Sequence, residues 1–323
     1  MYAYYIQMLK SISRSINKAM KRFNKSSPWL KALVLLILVL LVSGTTGKCR
    51  AIREGFIQEE KFVSESGPTV YDGFYSKIYD DLVHDKVKNE YEIGKIINTT
   101  KPTHASFILD VGSGTGHHVG LLRGKGYNAI GLDISPAMVN ISTNKYPHAT
   151  FKVGSALDFM LFPAGTFSHI LCLYFTIYYI ERKQQFFKNC YDWLLPGGYL
   201  VLHLVNRNMF DPILNSANPL TMVSPQKYAK KRITNSLVKF KDFQYKANFS
   251  WTKDWADNKA SFDEVFNDDA TGKIRKNTHT FYMESQKDIL SLAKDIGFIM
   301  LGKIDLLPVQ YEYQYLYILY KPE

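Results

Sequence analysis

Three glycines at alternate positions, Gly112, Gly114 and Gly116, lie between two carboxylates, Asp110 and Asp133, in a chain of 323 residues. Glycine has no Cβ, so such a stretch takes up positive φ and lets a ligand lie directly against backbone N–H groups. Ahead of it, Phe107, Ile108, Leu109 and Val111 form a short apolar run that suits a strand buried on both faces. From about Thr115 to Arg123 the pattern turns helical. The loop therefore sits at a helix N-terminus, where unpaired N–H groups and the helix dipole favour an anionic ligand group. A dinucleotide fingerprint would need Gly-x-Gly-x-x-Gly or a final Ala. Counting from Gly112 or Gly114 puts His117 or Val119 at that last place, which disfavours a nicotinamide cofactor. A plain tight turn between strand and helix is the bland alternative.

The run Asp110-x-Gly112-x-Gly114-x-Gly116 resembles the first motif of the class I S-adenosylmethionine-dependent methyltransferases. The resemblance implies S-adenosyl-L-methionine as cofactor, lying against Gly112, Ser113, Gly114 and Gly116, with its ammonium group facing Asp110. Gly131-Leu-Asp-Ile-Ser-Pro-Ala-Met138 resembles the second motif. There Asp133, with Ile134 beside it, ends a second strand about twenty residues past the loop, where a carboxylate can accept hydrogen bonds from both ribose hydroxyls. Ser135 and Pro136 read as an N-cap and a first helical proline, so Asp133 is not needed as a cap. A third strand from Ala149 leads into an adenine-side loop with Ser155, Ala156 and Asp158 as candidate contacts. The family commonly has Gly-Asp where this chain has Gly154-Ser155, and usually has Asp where the fourth strand has Ser168. Upstream, Tyr71-Asp-Gly-Phe-Tyr-Ser-Lys-Ile-Tyr-Asp80 is similar to the segment preceding the first motif in small-molecule methyltransferases, where aromatics close over the cofactor. Tyr75 and Tyr79 are the candidates, with ordinary core aromatics of an amphipathic helix as the alternative.

The elements that must position these residues follow from the same pattern. Tyr174 and Phe175 fall at the carboxyl end of the fourth strand, the edge where α/β sheets bind ligands. A helix over 182–194 and the turn Leu195-Pro-Gly-Gly198 lead to a fifth strand, Tyr199–Val205. Phe243–Trp251, Ser261–Phe266 and Lys273–Met283 then read as three strands of an antiparallel lid inserted after it. A helix over 285–296 and an antiparallel pair, Phe298–Leu306 with Gln310–Tyr320, close the chain. The fold class expected is α/β, and the resemblance implies a Rossmann-like, seven-stranded, mostly parallel sheet with one reversed strand and helices on both faces. His203, Tyr174, Tyr178 and Tyr282 are candidates for catalysis or substrate contact, with a satisfied core histidine the favoured alternative for His203. No His/Asp/Glu cluster points to a metal.

The net charge of +11 is unevenly placed. Ten of the 40 Lys and Arg lie in residues 1–53, which hold no acid, leaving 30 basic against 29 acidic residues beyond. A near-neutral remainder argues against nucleic acid as a partner. Residues 29–47 are largely apolar with Lys31 as their only charge, and as a helix they would span about 28 Å, matching a bilayer core. The organisation expected is a basic tail at 1–28, a transmembrane helix at 29–47, a linker at 48–69 and a methyltransferase domain at 70–323, with the substrate lid at 206–283. A cleaved signal peptide is the alternative for the apolar segment. Cys49, Cys172 and Cys190 contain no CxxC pair and indicate neither a disulfide framework nor a zinc site. The expected function is methyl transfer to a small-molecule or lipid-like nucleophile by a single-pass membrane enzyme. The alternatives are methylation of a membrane-associated protein, or a membrane module that binds S-adenosylmethionine without turnover.

Overall fold

A computed structural model describes residues 27–29, 31, 60–213, 226 and 229–323. The chain divides into two compact units, residues 1–54 and 55–323. Of the first, a single backbone bond from Lys31 N–H to Ser27 O is described, at 3.2 Å. Among the described residues no helix is long and apolar enough to cross a membrane. The span expected at 29–47 lies outside the described residues except for Trp29 and Lys31, as do Cys49 and nearly all of the tail. The expectation of a single-pass membrane protein is corrected accordingly.

In the second unit the chain runs through β1 (Phe62–Ser66), α1 (Tyr75–Val83), α2 (Lys86–Thr100), β2 (Phe107–Val111), α3 (His117–Gly124), β3 (Asn128–Asp133), α4 (Pro136–Lys145), β4 (Thr150–Val153) and β5 (Phe167–Cys172). It continues through α5 (Thr176–Tyr179), α6 (Lys183–Trp193), β6 (Leu194–Val205), β7 (Asn235–Lys239), β8 (Phe243–Trp251), β9 (Lys259–Asp268), β10 (Ile274–Tyr282), α7 (Gln286–Ile296), β11 (Ile299–Asp305) and β12 (Gln314–Tyr320). The helix starts have local causes. Asp85 accepts from Lys88 N at 3.0 Å to open α2, and Ser135 accepts from Met138 N at 3.1 Å to open α4 ahead of Pro136. Ser285 does the same for α7, which Gly297 ends at φ 120°.

Seven strands form the central sheet in the order β11-β12-β6-β5-β2-β3-β4, with β12 antiparallel to both its neighbours and the other pairs parallel. Side chains alternate across it. Ile108 joins Ile93 and Ile96 of α2 and Val119 and Leu122 of α3 on one face. Leu109 and Val111 join Met138 of α4, Phe186 and Trp193 of α6 and Ile289 of α7 on the other. The carboxyl ends of β2, β3, β5 and β6 thus share one edge, the place where this architecture binds ligands.

A second sheet, in the order β1-β10-β9-β8-β7, departs from the expected three-stranded insertion in two ways. Residues 62–66, expected within a linker, pair parallel with β10 from Phe62↔Ile274 to Ser66↔Thr278. Residues 235–239, outside the three expected strands, pair antiparallel with β8. A turn joins β9 to β10, with Asp268 accepting from Ala270 N and Thr271 N at 2.8 Å each.

Candidate functional site

The glycine-rich loop leaves β2 with Gly112, Gly114 and Gly116 at φ 69°, 52° and 85°. Each is in the left-handed region that suits glycine. Two are also sterically closed: a Cβ would lie 2.4 Å from Thr176 Oγ1 at Gly112 and 2.7 Å from Phe151 Cζ at Gly116. At Gly114 the nearest atom is Tyr79 Cε1, 3.7 Å away, so Tyr79 of α1 lies across the loop at ordinary contact distance. Asp133 ties the loop to β3, accepting from Gly114 N at 2.8 Å and Ser135 N at 2.9 Å. Burial raises the Asp133 carboxyl, and these backbone donors pull it back.

Under the loop, Asp110 Oδ2 and Ser113 Oγ are buried without a hydrogen-bond partner. Burial pushes the Asp110 carboxyl up to about 6, against the opposing pull of His118, whose Nδ1 is 3.9 Å from Oδ2. An orphaned buried carboxylate oxygen beside a glycine cradle fits the ammonium and amino-acid backbone of S-adenosylmethionine. Behind His118, Glu92 receives His118 Nε2 at 3.3 Å and Lys88 Nζ at 2.6 Å, with neither side chain of the Lys88–Glu92 pair exposed. Burial works against the Glu92 charge, but Lys88 and His118 outweigh it and hold the carboxyl at about 2.

The other sequence candidates separate. Tyr174 stands at φ 50° at the carboxyl end of β5, but its hydroxyl donates to Asn89 Oδ1 at 2.7 Å and its ring covers Lys88 Nζ at 3.6 Å, inside the α2 network. His203 is buried with Nδ1 bonded to the Tyr174 carbonyl, and burial pushes it down to about 4, so it is a core histidine. Tyr178 is also corrected: its buried hydroxyl accepts from Val205 N at 2.8 Å. Tyr282 lies on the opposite face of β10 from the buried residues 275, 277, 279 and 281. In the adenine-side loop Ser155 Oγ accepts from Leu157 N, the Ala156 carbonyl accepts from Asn189, and the exposed Asp158 accepts from Met160 N at 3.0 Å as a local cap. Ile134 is 51% exposed beside Asp133.

Tyr75 and Tyr79 are brought together with a group that the sequence reading missed. Tyr75 Oη and Tyr245 Oη donate to Glu264 Oε1 at 3.1 and 2.7 Å, and His279 Nε2 meets Glu264 Oε2 at 2.8 Å. Tyr179 Oη bonds His279 Nδ1 at 2.9 Å, and Tyr71 Oη donates to Tyr179 Oη at 2.7 Å. The Tyr71 ring centroid lies 6.3 Å from that of Tyr79. The second sheet thus places a buried histidine–carboxylate pair behind Tyr71 and Tyr75, which pack on Tyr79 at the glycine loop. Only the burial of Glu264 had a sequence signal, because Glu264 shares with Ala260, Phe262 and Phe266 the buried face of β9.

A parallel sheet with one reversed strand and a glycine loop at its ligand-binding edge defines a Rossmann-like α/β protein. Residues 109–202 match the methyltransferase domain family. A dTDP-4-amino-2,3,4,6-tetradeoxy-D-glucose N,N-dimethyltransferase of Saccharopolyspora spinosa is 30% identical over 141 residues, 42% of this chain and 55% of its own. The chain spans about half the length of the curated relatives it matches. Of solved structures, an S-adenosylmethionine-dependent methyltransferase from Clostridium acetobutylicum superposes with a TM-score of 0.58 at 16% identity, over 77% of this chain and 98% of its own. The S-adenosylmethionine-bound amino pentose methyltransferase from Micromonospora echinaspora gives 0.54 at 17% identity, over 77% and 96%. Fold, first motif and matched segment agree: the chain carries a class I S-adenosylmethionine-dependent methyltransferase domain.

Proposed function

We propose that the chain transfers the methyl group of S-adenosylmethionine to the nitrogen of a small polar amine held between the glycine loop and the second sheet. The observation that carries this is the orphaned Asp110 Oδ2 in the glycine loop of Gly112, Gly114 and Gly116, where Tyr79 reaches Gly114 and packs on Tyr71, which packs in turn on Tyr179. Asp110 takes the cofactor's ammonium, the loop N–H groups lie along its amino-acid part, and Asp133, next to Ile134, offers its remaining lone pairs to the ribose. The bound cofactor supplies a methyl group already activated by its sulfonium. The protein's own work is to align the acceptor and exclude water. Residues 206–283, joined by the β1 strap, serve as the substrate-side lid of a methyltransferase domain beginning near residue 60. Hydroxyls, a histidine and a carboxylate in the lid wall favour a polar amine over a lipid-like acceptor, in keeping with the amino sugar named for the Saccharopolyspora relative. The test is transfer of a labelled methyl group to a nucleotide-linked amino sugar, a free amino sugar and ethanolamine phosphate, with a simple alcohol as control. Label confined to the alcohol would sink the amine reading.

A pH dependence follows from Asp110. Its carboxyl titrates at about 6 in the free protein and must be ionised to receive an ammonium group. Affinity for S-adenosylmethionine is expected to be full above that value and to fall about tenfold for each pH unit below it. Calorimetry across the acid range checks this, and Asp110→Asn should remove the slope. A flat profile in the wild type would mean that Asp110 does not hold the ammonium.

A further inference from the structure

The second sheet buries more chemistry than a lid requires. Glu264 is fully buried and receives three donors, Tyr75 from α1, Tyr245 from β8 and His279 from β10. An ionised carboxylate only accepts, so His279 Nε2 carries the proton toward it. The neutral ring then leaves Nδ1 as an acceptor, so Tyr179 must donate to it, and Tyr179 Oη in turn accepts from Tyr71. Every hydrogen bond in the series therefore points the same way, from Tyr71 toward the His279–Glu264 pair. Burial raises the hydroxyls of Tyr71 and Tyr179 well above the usual tyrosine range, so both remain protonated and pass protons on rather than ionise.

We propose that Glu264 and His279 form the proton sink of the transfer site, and that Tyr71 and Tyr179 conduct to it the proton of an acceptor that arrives as an ammonium ion. The proposal rests on the methyltransferase reading above and specifies its substrate as a protonated amine. The ammonium N–H bond breaks, and its proton goes to Tyr71 Oη. The Tyr71 proton passes to Tyr179 and the Tyr179 proton to His279 Nδ1. The imidazolium so formed is held by the Glu264 carboxylate, and the amine keeps the lone pair it needs. Each hydroxyl gains one proton and loses one, so the net change is one proton moved from acceptor to His279. The groups facing His279 are then Tyr71 and Tyr75, Tyr179 on α5 and Glu264 on β9, with Phe262 and Phe281 as apolar neighbours.

The test uses the full-length protein with Tyr179→Phe, Tyr71→Phe and Glu264→Gln. In the free protein, nitrogen NMR of His279 should show Nε2 protonated and Nδ1 bare at neutral pH. With the amine that the wild type methylates best, Tyr179→Phe should lower kcat by about 100-fold at neutral pH, with cofactor affinity unchanged. That loss should shrink at alkaline pH, where the amine arrives neutral and needs no base. Tyr71→Phe should match it, and the double variant should be no worse than either single one. Glu264→Gln should lower kcat in the same way, because the imidazolium then has no carboxylate beside it. Variants that keep wild-type kcat, or a loss that persists unchanged at alkaline pH, overturn the relay while leaving the methyltransferase reading intact. A His279 ring found protonated at Nδ1 rather than at Nε2 overturns it without any turnover being measured. A wild type that neither binds S-adenosylmethionine nor methylates an amine overturns both.

Discussion

Gly114→Val is expected to abolish S-adenosylmethionine binding in a chain that stays folded. The residue sits at φ 52°, and a Cβ there would meet only Tyr79 Cε1 at 3.7 Å, so the apo protein has room for the added volume. Forcing a β-branched residue into positive φ costs about 1 to 3 kcal/mol, which lowers stability without erasing it. The valine methyls would fill the space between loop and Tyr79 that the ligand must enter. Gly116→Val is the control in the opposite sense. Its Cβ would lie 2.7 Å from Phe151 Cζ and 2.8 Å from Ser142 Cβ, so that variant should lose the fold itself. Thermal melting and calorimetry on the two proteins separate the outcomes. Normal cofactor binding by folded Gly114→Val would remove the loop from the site.

Glu92→Gln should be among the most destabilising single changes outside the apolar core. Lys88 and Glu92 pair at 2.6 Å with no exposure of either side chain, and the Lys88 ammonium also lies under the Tyr174 ring. Removing the carboxylate charge strands a buried ammonium, a change that costs about 3 to 5 kcal/mol. Lys88→Met combined with Glu92→Leu should recover most of the loss, because an apolar pair of similar volume carries no desolvation penalty. Denaturant midpoints measure both. A Glu92→Gln midpoint close to wild type would show that water reaches Lys88.

The central sheet and the loop were legible because their signals are local. Asp110 to Gly116 carries its own turn chemistry, Ser135-Pro136 its own cap, and the strands are continuous apolar runs. The site's other wall was not legible, because register assembles it. Glu264 and His279 stand on different strands and meet diagonally because β9 and β10 pair as Glu264↔Asn277 and Phe262↔His279, and Tyr71 follows the β1 strand that pairs with β10. Tyr178 bonds the β6 backbone where its neighbour Tyr179 bonds His279, and neighbouring helical residues point about 100° apart, a difference that a four-residue helix cannot announce by periodicity. The β1 strap was missed for a similar reason: Phe62–Ser66 alternates only weakly in burial, and its parallel partner lies far along the chain. Asp158 went the other way, a plausible adenine contact by spacing that is spent on capping its own short turn.

Calorimetric titration of the full-length wild-type chain with S-adenosylmethionine, at a pH above the Asp110 transition, tests the central claim most directly. The expected result is saturable binding of one molecule per chain, competed by S-adenosylhomocysteine and not by a nicotinamide dinucleotide. Absence of binding at millimolar cofactor would contradict it.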